Sequence, residues 1–461
     1  MLGIHEYLLK KIISILFTKL YPVSYNIKKM KNIFFTFLFS ILLSSTSLGQ
    51  SSSSPIVEKT YIERILTTLA SDEMRGRHAL TEDAERAATF IEKEFEAIGL
   101  APYIGNDYRQ RFEMLQISKK NSTVTWNGQS LDPNQFLILG HVKKINWTPS
   151  SNIPVYSIKK TDDFAQSFRS YMQSDENAII LVDPKFSAFI ARYNKIYDRE
   201  DVVSKTNHTP TKAFIISEKS SNDYQIVSEN NVKSISMSNV AAIIPGKSKA
   251  NEYVVFSSHY DHLGIIKAEG QDSIANGADD DASGTTALIS LAKYYKKQDN
   301  NERTLIFVAF TAEEIGMFGS KYFSNNINAD SVIAMINIEM IGKDAKFGPN
   351  SMYITGYDRS NLGELMQQNI KGSPFRFYPD PYPQQNLFYR SDNAVLAALG
   401  VPAHTFSTSQ IDKDEYYHTV KDEVSTLNIN NIKSSIEAIA IGASGIINGS
   451  QTPQRVEKLK D

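Results

Sequence analysis

Thr304-Leu305-Ile306-Phe307-Val308-Ala309-Phe310 is an uninterrupted, largely apolar run, and Thr311-Ala312-Glu313-Glu314 follows it directly. Such a run, bounded by polar residues, reads as a strand buried on both faces. Working outward, the same rhythm continues. Val240 to Ile244 and Tyr253 to Ser257 are strand-like, Thr285 to Tyr295 has the composition of a helix, Gly319 to Asn325 starts another, and Val332 to Ile338 is a further strand. Strands alternating with helices predict an α/β fold, a three-layer α/β/α sandwich around a mostly parallel central sheet. Ligands of such sheets bind at the carboxyl ends of the strands. His259 falls just after one predicted strand, Glu313 and Glu314 after the next, and Glu339 at the end of a third.

These positions belong to five segments of one chemistry: His259-Tyr260-Asp261, Gly277 to Gly284 with its run Asp279-Asp280-Asp281, Thr311 to Glu314, Asn337 to Met340, and Tyr417-His418-Thr419. Zinc accepts imidazole nitrogen and carboxylate oxygen, and two ions held close together need a shared carboxylate. Three consecutive acids are costly without counter-charge, although a helix N-terminus also favours them. Glu339 ends an apolar strand, where a carboxylate is expensive unless it meets a cation. Adjacent Glu313 and Glu314 point different ways from a strand end, so one can bind metal while the other takes a proton from water. A metal-bound histidine usually hands its second nitrogen to a carboxylate, and Asp261 lies within reach of His259. His262 and His404, with no companion motif, read as capped or surface histidines, and His78 and His141 carry no partner motif either.

Composition narrows the alternatives. The chain has 461 residues, 41% hydrophobic and 22% charged, with a formal net charge of -2 and no cysteine. Thiolate catalysis, disulfides and cysteine-bound zinc are thereby excluded. Near-neutral charge gives no reason to expect nucleic acid or an anionic membrane as partner.

The five segments together resemble the M28 family of zinc metallopeptidases, the secreted aminopeptidases related to bacterial leucine aminopeptidase, over most of residues 60–450. The resemblance implies two zinc ions, with Asp280 bridging, Glu314 and His418 completing one site, and His259 and Glu339 the other. It implies Glu313 as general base, Asp261 as the partner of His259, and peptides as substrates. Arg390-Ser391-Asp392 with Gly400-Val401-Pro402 resembles the stretch that approaches the substrate in this family. Two departures stand out. The family usually has aspartate where this chain has Glu339, and many members have histidine where it has Asn393.

The expected organisation is an upstream extension and signal peptide over 1–49, an N-terminal part of the peptidase domain over 56–114, a β-rich insertion over 115–236, similar in place to a protease-associated domain, and the catalytic domain over 237–450. Lys28, Lys29 and Lys31 precede the apolar run Ile33 to Leu43, with Ser47 and Gly49 beyond it. That is the pattern of a secretory signal at about 30–49. It predicts a secreted or periplasmic protein with no stable membrane partner after cleavage. The activity expected is removal of N-terminal residues from peptides. A glutaminyl cyclase or a carboxypeptidase on the same scaffold, or a non-catalytic peptide-binding module, remain as alternatives.

Overall fold

The structure, a computed structural model, describes residues 56–205 and 210–459; the segment read as a signal peptide lies outside them. Two helices open the described chain. In α1 (Lys59–Leu69) the residues Ile62, Ile65, Leu66 and Leu69 recur at helical spacing and are all fully buried. The stripe they form is what fastens the helix to the core. In α2 (Glu82–Ile98) the Thr81 hydroxyl accepts from the Asp83 amide, and Gly99 closes the helix at φ +78°. Glycine suits that left-handed cap because it has no Cβ to clash.

The central sheet is built from β1 (Arg109–Trp126), β6 (Tyr224–Ile244), β7 (Lys249–His259), β8 (Arg303–Phe310), β9 (Val332–Ile338), β10 (Ser351–Ile354), β11 (Arg376–Pro379) and β12 (Ala403–Ser407). Its main order is β11-β10-β12-β9-β7-β8-β6-β1. β7 pairs parallel with both β8 and β9, and β9 pairs parallel with β12. The pairings of β6 with β8 and β1, and of β10 with β12, are antiparallel. The expected α/β architecture with a mostly parallel centre is therefore present, flanked by antiparallel strands. Every residue of β8 is buried. Its side chains alternate between two cores, as the two-residue period of a strand requires. Leu305 and Phe307 face the core shared with α1, α2, α5 (Gly284–Gln298) and α9 (Ile429–Gly442). Ile306, Val308 and Phe310 face the core shared with α6 (Phe318–Asn325) and α8 (Asn393–Ala398).

Between β1 and β6 lies a second, four-stranded sheet of β2 (Phe136–Leu139), β3 (Val155–Ile158), β4 (Ala178–Val182) and β5 (Lys212–Ile216), in the order β2-β5-β4-β3. The helices α3 (Phe164–Gln173) and α4 (Ser187–Ile196) pack on it through Phe164, Phe168, Phe186 and Phe214. This stretch thus contains helices as well as strands. β1 and β6 run on as one long antiparallel pair, so Val240 to Ile244 is only the end of a much longer strand. The polar, Asn- and Ser-rich middle of that pair hides it from a hydrophobic pattern.

Candidate metal centre

Parallel register fixes the site. Ser257 pairs with Asn337 and His259 with Phe310, so the ends of β7, β8 and β9 come level. From these ends His259, Glu313, Glu314 and Glu339 converge on the acidic turn before α5. Around that turn, the three aspartates do three different things. Asp279 accepts from the Gly342 amide at 2.6 Å, and its second carboxylate oxygen is buried with no hydrogen-bond partner among the described residues. Asp281 accepts from the amides of Gly284 at 3.1 Å and Met340 at 3.0 Å, which ties α5 to the end of β9. Asp280 faces the histidines. Its Oδ1 lies 3.2 Å from His259 Nε2 and its Oδ2 3.2 Å from His418 Nε2.

Two groups of ligand atoms result, each drawn together within 4.8 Å: His259, Asp280 and Glu339, and His262, Asp280 and Glu314. His418 Nε2 is 3.4 Å from Glu314 Oε2, so it closes on the second group. All five residues read as metal ligands thus lie at one place, with Glu313 beside them. Its amide donates to Asp261 at 3.2 Å. Burial, opposed by the His259 charge and reinforced by Glu339, Asp392 and Glu314, holds the Glu313 carboxyl well above its ordinary range. Burial is also the first cause that raises Asp279, Glu339 and Asp392, each to about 7, and Asp261 to about 6. Buried carboxyls gathered in this way ionise readily only beside positive charge.

Asp261 differs in detail from the expectation. His259 Nδ1 lies 3.1 Å from the backbone oxygen of Asp261 and 3.9 Å from its carboxylate. That carboxylate instead accepts the amides of Glu313 and Glu314, and so orients the two glutamates.

His262 is the residue that pattern reading missed. It is fully buried, and its Nδ1 lies 2.7 Å from Glu314 Oε1. Its Nε2 is buried with no hydrogen-bond partner among the described residues. The available signal was its place three residues after His259, which carries the chain from the end of β7 to the far side of the cluster. Gly277 makes room for it: the ring atoms Cδ2 and Cγ lie 2.5 and 2.6 Å from where a Cβ would stand. By contrast His404 is a capped core histidine, as expected, between Thr355 O at 2.8 Å and Ser360 Oγ at 2.7 Å.

Supporting groups hold the ligand loops. Arg77, fully buried, donates to the carbonyls of Leu69, Tyr260, Asn276 and Gly277. It joins the loop after β7 to the acidic turn and sets a fixed positive charge beneath the aspartates. Lys343 binds Asp414 at 2.6 Å, and Asp422 accepts from the amides of Asp279 and Asp280, both anchoring the loop that carries His418. The Ser391 hydroxyl donates to Glu339, and Asn337 donates to Ser391 at 2.7 Å, which steadies the longer glutamate. Asn393 is buried and bonds the carbonyls of Phe388 and Ala403 and the Thr405 hydroxyl, so in this chain it is a packing residue.

Comparison with known proteins agrees with the geometry. Residues 239–441 match the sequence profile of peptidase family M28. A vacuolar membrane protease of Schizosaccharomyces pombe is 26% identical over 221 residues, which cover 46% of this chain and 24% of that protein. A probable zinc metalloprotease of Pyrenophora teres is 34% identical over 110 residues, 23% of this chain and 22% of that one. The chain thus spans about a quarter of the length of these curated relatives. Among solved structures, the aminopeptidase from Aneurinibacillus sp. strain AM-1 superposes with a TM-score of 0.51 at 16% identity, covering 87% of this chain and 95% of that one. A zinc aminopeptidase from Bacillus subtilis gives a TM-score of 0.50 at 14% identity, over 87% and 99% of the two chains. These two likenesses bear on the fold.

One expectation is overturned. A secreted or periplasmic location was read from residues 30–49, yet the curated relatives include vacuolar membrane proteases of Schizosaccharomyces pombe and Saccharomyces cerevisiae. Among the described residues no helix is long and apolar enough to cross a membrane. A charge-then-apolar pattern is shared by cleaved leaders and retained membrane segments, which is why it misleads about destination. The sheet and the converging acids and histidines thus agree with the match of residues 239–441 to peptidase family M28.

Proposed function

We propose that the chain is a zinc-dependent aminopeptidase that removes single residues from the N-termini of peptides. The observation that carries this reading is Asp280, whose two carboxylate oxygens diverge to His259 and His418 at 3.2 Å each. One carboxylate facing two separate sets of nitrogen and oxygen donors suits a pair of ions. The donor set is nitrogen and oxygen only, and its atoms are drawn together within 4.8 Å in each group, which suits a cation. His259, Asp280 and Glu339 would hold one zinc, and Asp280, Glu314 and His418 the other. When bound, zinc supplies Lewis acidity toward the scissile carbonyl and the attacking water.

The remaining work falls to the chain. Glu313, its backbone held by Asp261, accepts the proton of the attacking water and returns it to the leaving amine. His262 donates Nδ1–H to one oxygen of Glu314 and leaves the other free for metal, a role typical of the groups that orient ligands.

The test is mass spectrometry of a mixed peptide pool incubated with the purified full-length chain, with and without a chelator. Chelator-sensitive loss of single N-terminal residues is expected. Loss of ammonia from peptides beginning with glutamine would replace this reading with a cyclase, trimming from the other end with a carboxypeptidase, and an unchanged pool with a binding module. Glu313→Gln should lower the trimming rate on the order of 100-fold or more with zinc content unchanged; full activity in that variant would remove Glu313 from the role of base.

A further inference from the structure

Beside Glu339 a cleft with about 450 Å³ of empty space opens into the site. Its wall is unusually rich in hydroxyls, among them Tyr353, Thr355, Ser407 and Ser409. Ser409 is buried, and its hydroxyl has no hydrogen-bond partner among the described residues. Buried polar atoms are seldom left in that state without a guest or a water. At the mouth stands Arg390, the one cationic side chain among the residues that line the cleft. It is exposed and, among the described residues, makes no salt bridge. Its charge is felt by the Tyr417 phenol, which places it over the same opening as the ring next to His418. Its neighbour in the chain, Ser391, holds Glu339, so the guanidinium sits one residue from the support of a candidate ligand.

An unpaired guanidinium presents a planar fork that fits a carboxylate with two parallel hydrogen bonds. Hydroxyls can complete the shell, since each both donates and accepts. The only carboxylate lining the cleft is Glu339, which the proposed zinc would occupy. A lysine or arginine side chain entering there would meet Arg390 with no other acid on the lining to receive it, and an apolar one would leave the guanidinium unpaired. We infer that this cleft receives the side chain of the substrate's first residue and that Arg390 selects an acidic one, aspartate or glutamate.

The inference rests on the aminopeptidase reading, and two measurements keep their fates apart. The first compares kcat/KM on peptides differing only in the first residue. The full-length wild type is expected to favour aspartate or glutamate over leucine and lysine at least tenfold. In Arg390→Gln that preference should collapse at least tenfold, Arg390→Lys should restore part of it, and Arg390→Glu should turn it toward lysine. The second titrates free L-aspartate and L-leucine into zinc-loaded protein by calorimetry, where no turnover is needed. Aspartate should bind at least tenfold more tightly than leucine in the wild type, and the difference should vanish in Arg390→Gln. Trimming without acidic preference, or an equal loss on all substrates in Arg390→Gln, overturns the inference and leaves the aminopeptidase standing. Arg390-dependent aspartate binding without trimming does the reverse. Arg390-dependent trimming from the carboxyl end would mean that the group held is the terminal carboxylate, and would overturn the side-chain assignment.

Discussion

Gly277→Ala probes the centre without touching a ligand. Gly277 has φ +56° and ψ +51°, the left-handed region. Alanine there costs about 1–2 kcal/mol by the clash of Cβ with the following carbonyl. The new Cβ would also stand 2.5 Å from His262 Cδ2 and 2.6 Å from Cγ, and closer still to the Asp280 carbonyl oxygen. Neither neighbour can yield freely. The His262 ring is buried against Glu314, and the Asp280 amide is held by Asp422. Overpacking of this kind adds roughly 1–3 kcal/mol. The expected loss is therefore about 2–5 kcal/mol in urea unfolding of the metal-free protein. Because relief requires His262 or Asp280 to shift, zinc affinity measured against a chromophoric chelator should fall on the order of 10- to 100-fold. Gly270→Ala separates the two terms. Gly270 has φ +68° with nothing within 4 Å of the added Cβ, so it carries the backbone cost alone. If Gly277→Ala unfolds no earlier than Gly270→Ala and binds zinc like the wild type, the packing argument for this turn is refuted.

Other perturbations reach other parts of the argument. His262→Ala should weaken zinc binding roughly 10- to 100-fold by freeing Glu314, and His262→Asn, which can still donate a hydrogen bond, should recover part of it; equal affinities in competition titrations would remove His262 from that role. Burial pushes the His404 imidazole down to about 4, so the fold resists a proton that the unfolded chain takes up below pH ~6.5. Its contribution is complete above pH ~6.5 and is lost as pH falls toward 4, worth about 3 kcal/mol across that window, and His404→Asn should flatten that part of the stability–pH curve. Phe256→Ala empties a fully buried place on β7, stacked on Phe307 with ring centroids 5.4 Å apart. It should cost about 3–5 kcal/mol in denaturant unfolding.

The sequence by itself determined the class of fold and the kind of chemistry. A strand such as Leu305 to Phe310 must be buried on both faces wherever it goes, because no polar side chain offers it a solvated side. Acids and histidines placed at the ends of such strands must then gather at one edge of the sheet, since parallel strands put equivalent ends together. Those are local properties, carried by runs of a few residues. What only the tertiary structure decided depends on approach across long stretches of chain. His262 looks like any isolated histidine until Glu314, fifty-two residues later, meets its ring at 2.7 Å. Asp279, Asp280 and Asp281 are chemically identical in sequence. They are separated in role only because Gly342, the histidines and Met340 stand on different sides of one turn. Asp261 was read as the partner of His259, yet the turn after β7 leaves its backbone oxygen nearer the ring and aims its carboxylate at the two glutamates. A side chain's direction is set by the backbone beneath it and by whatever packs against it, and neither is written in the residues beside it.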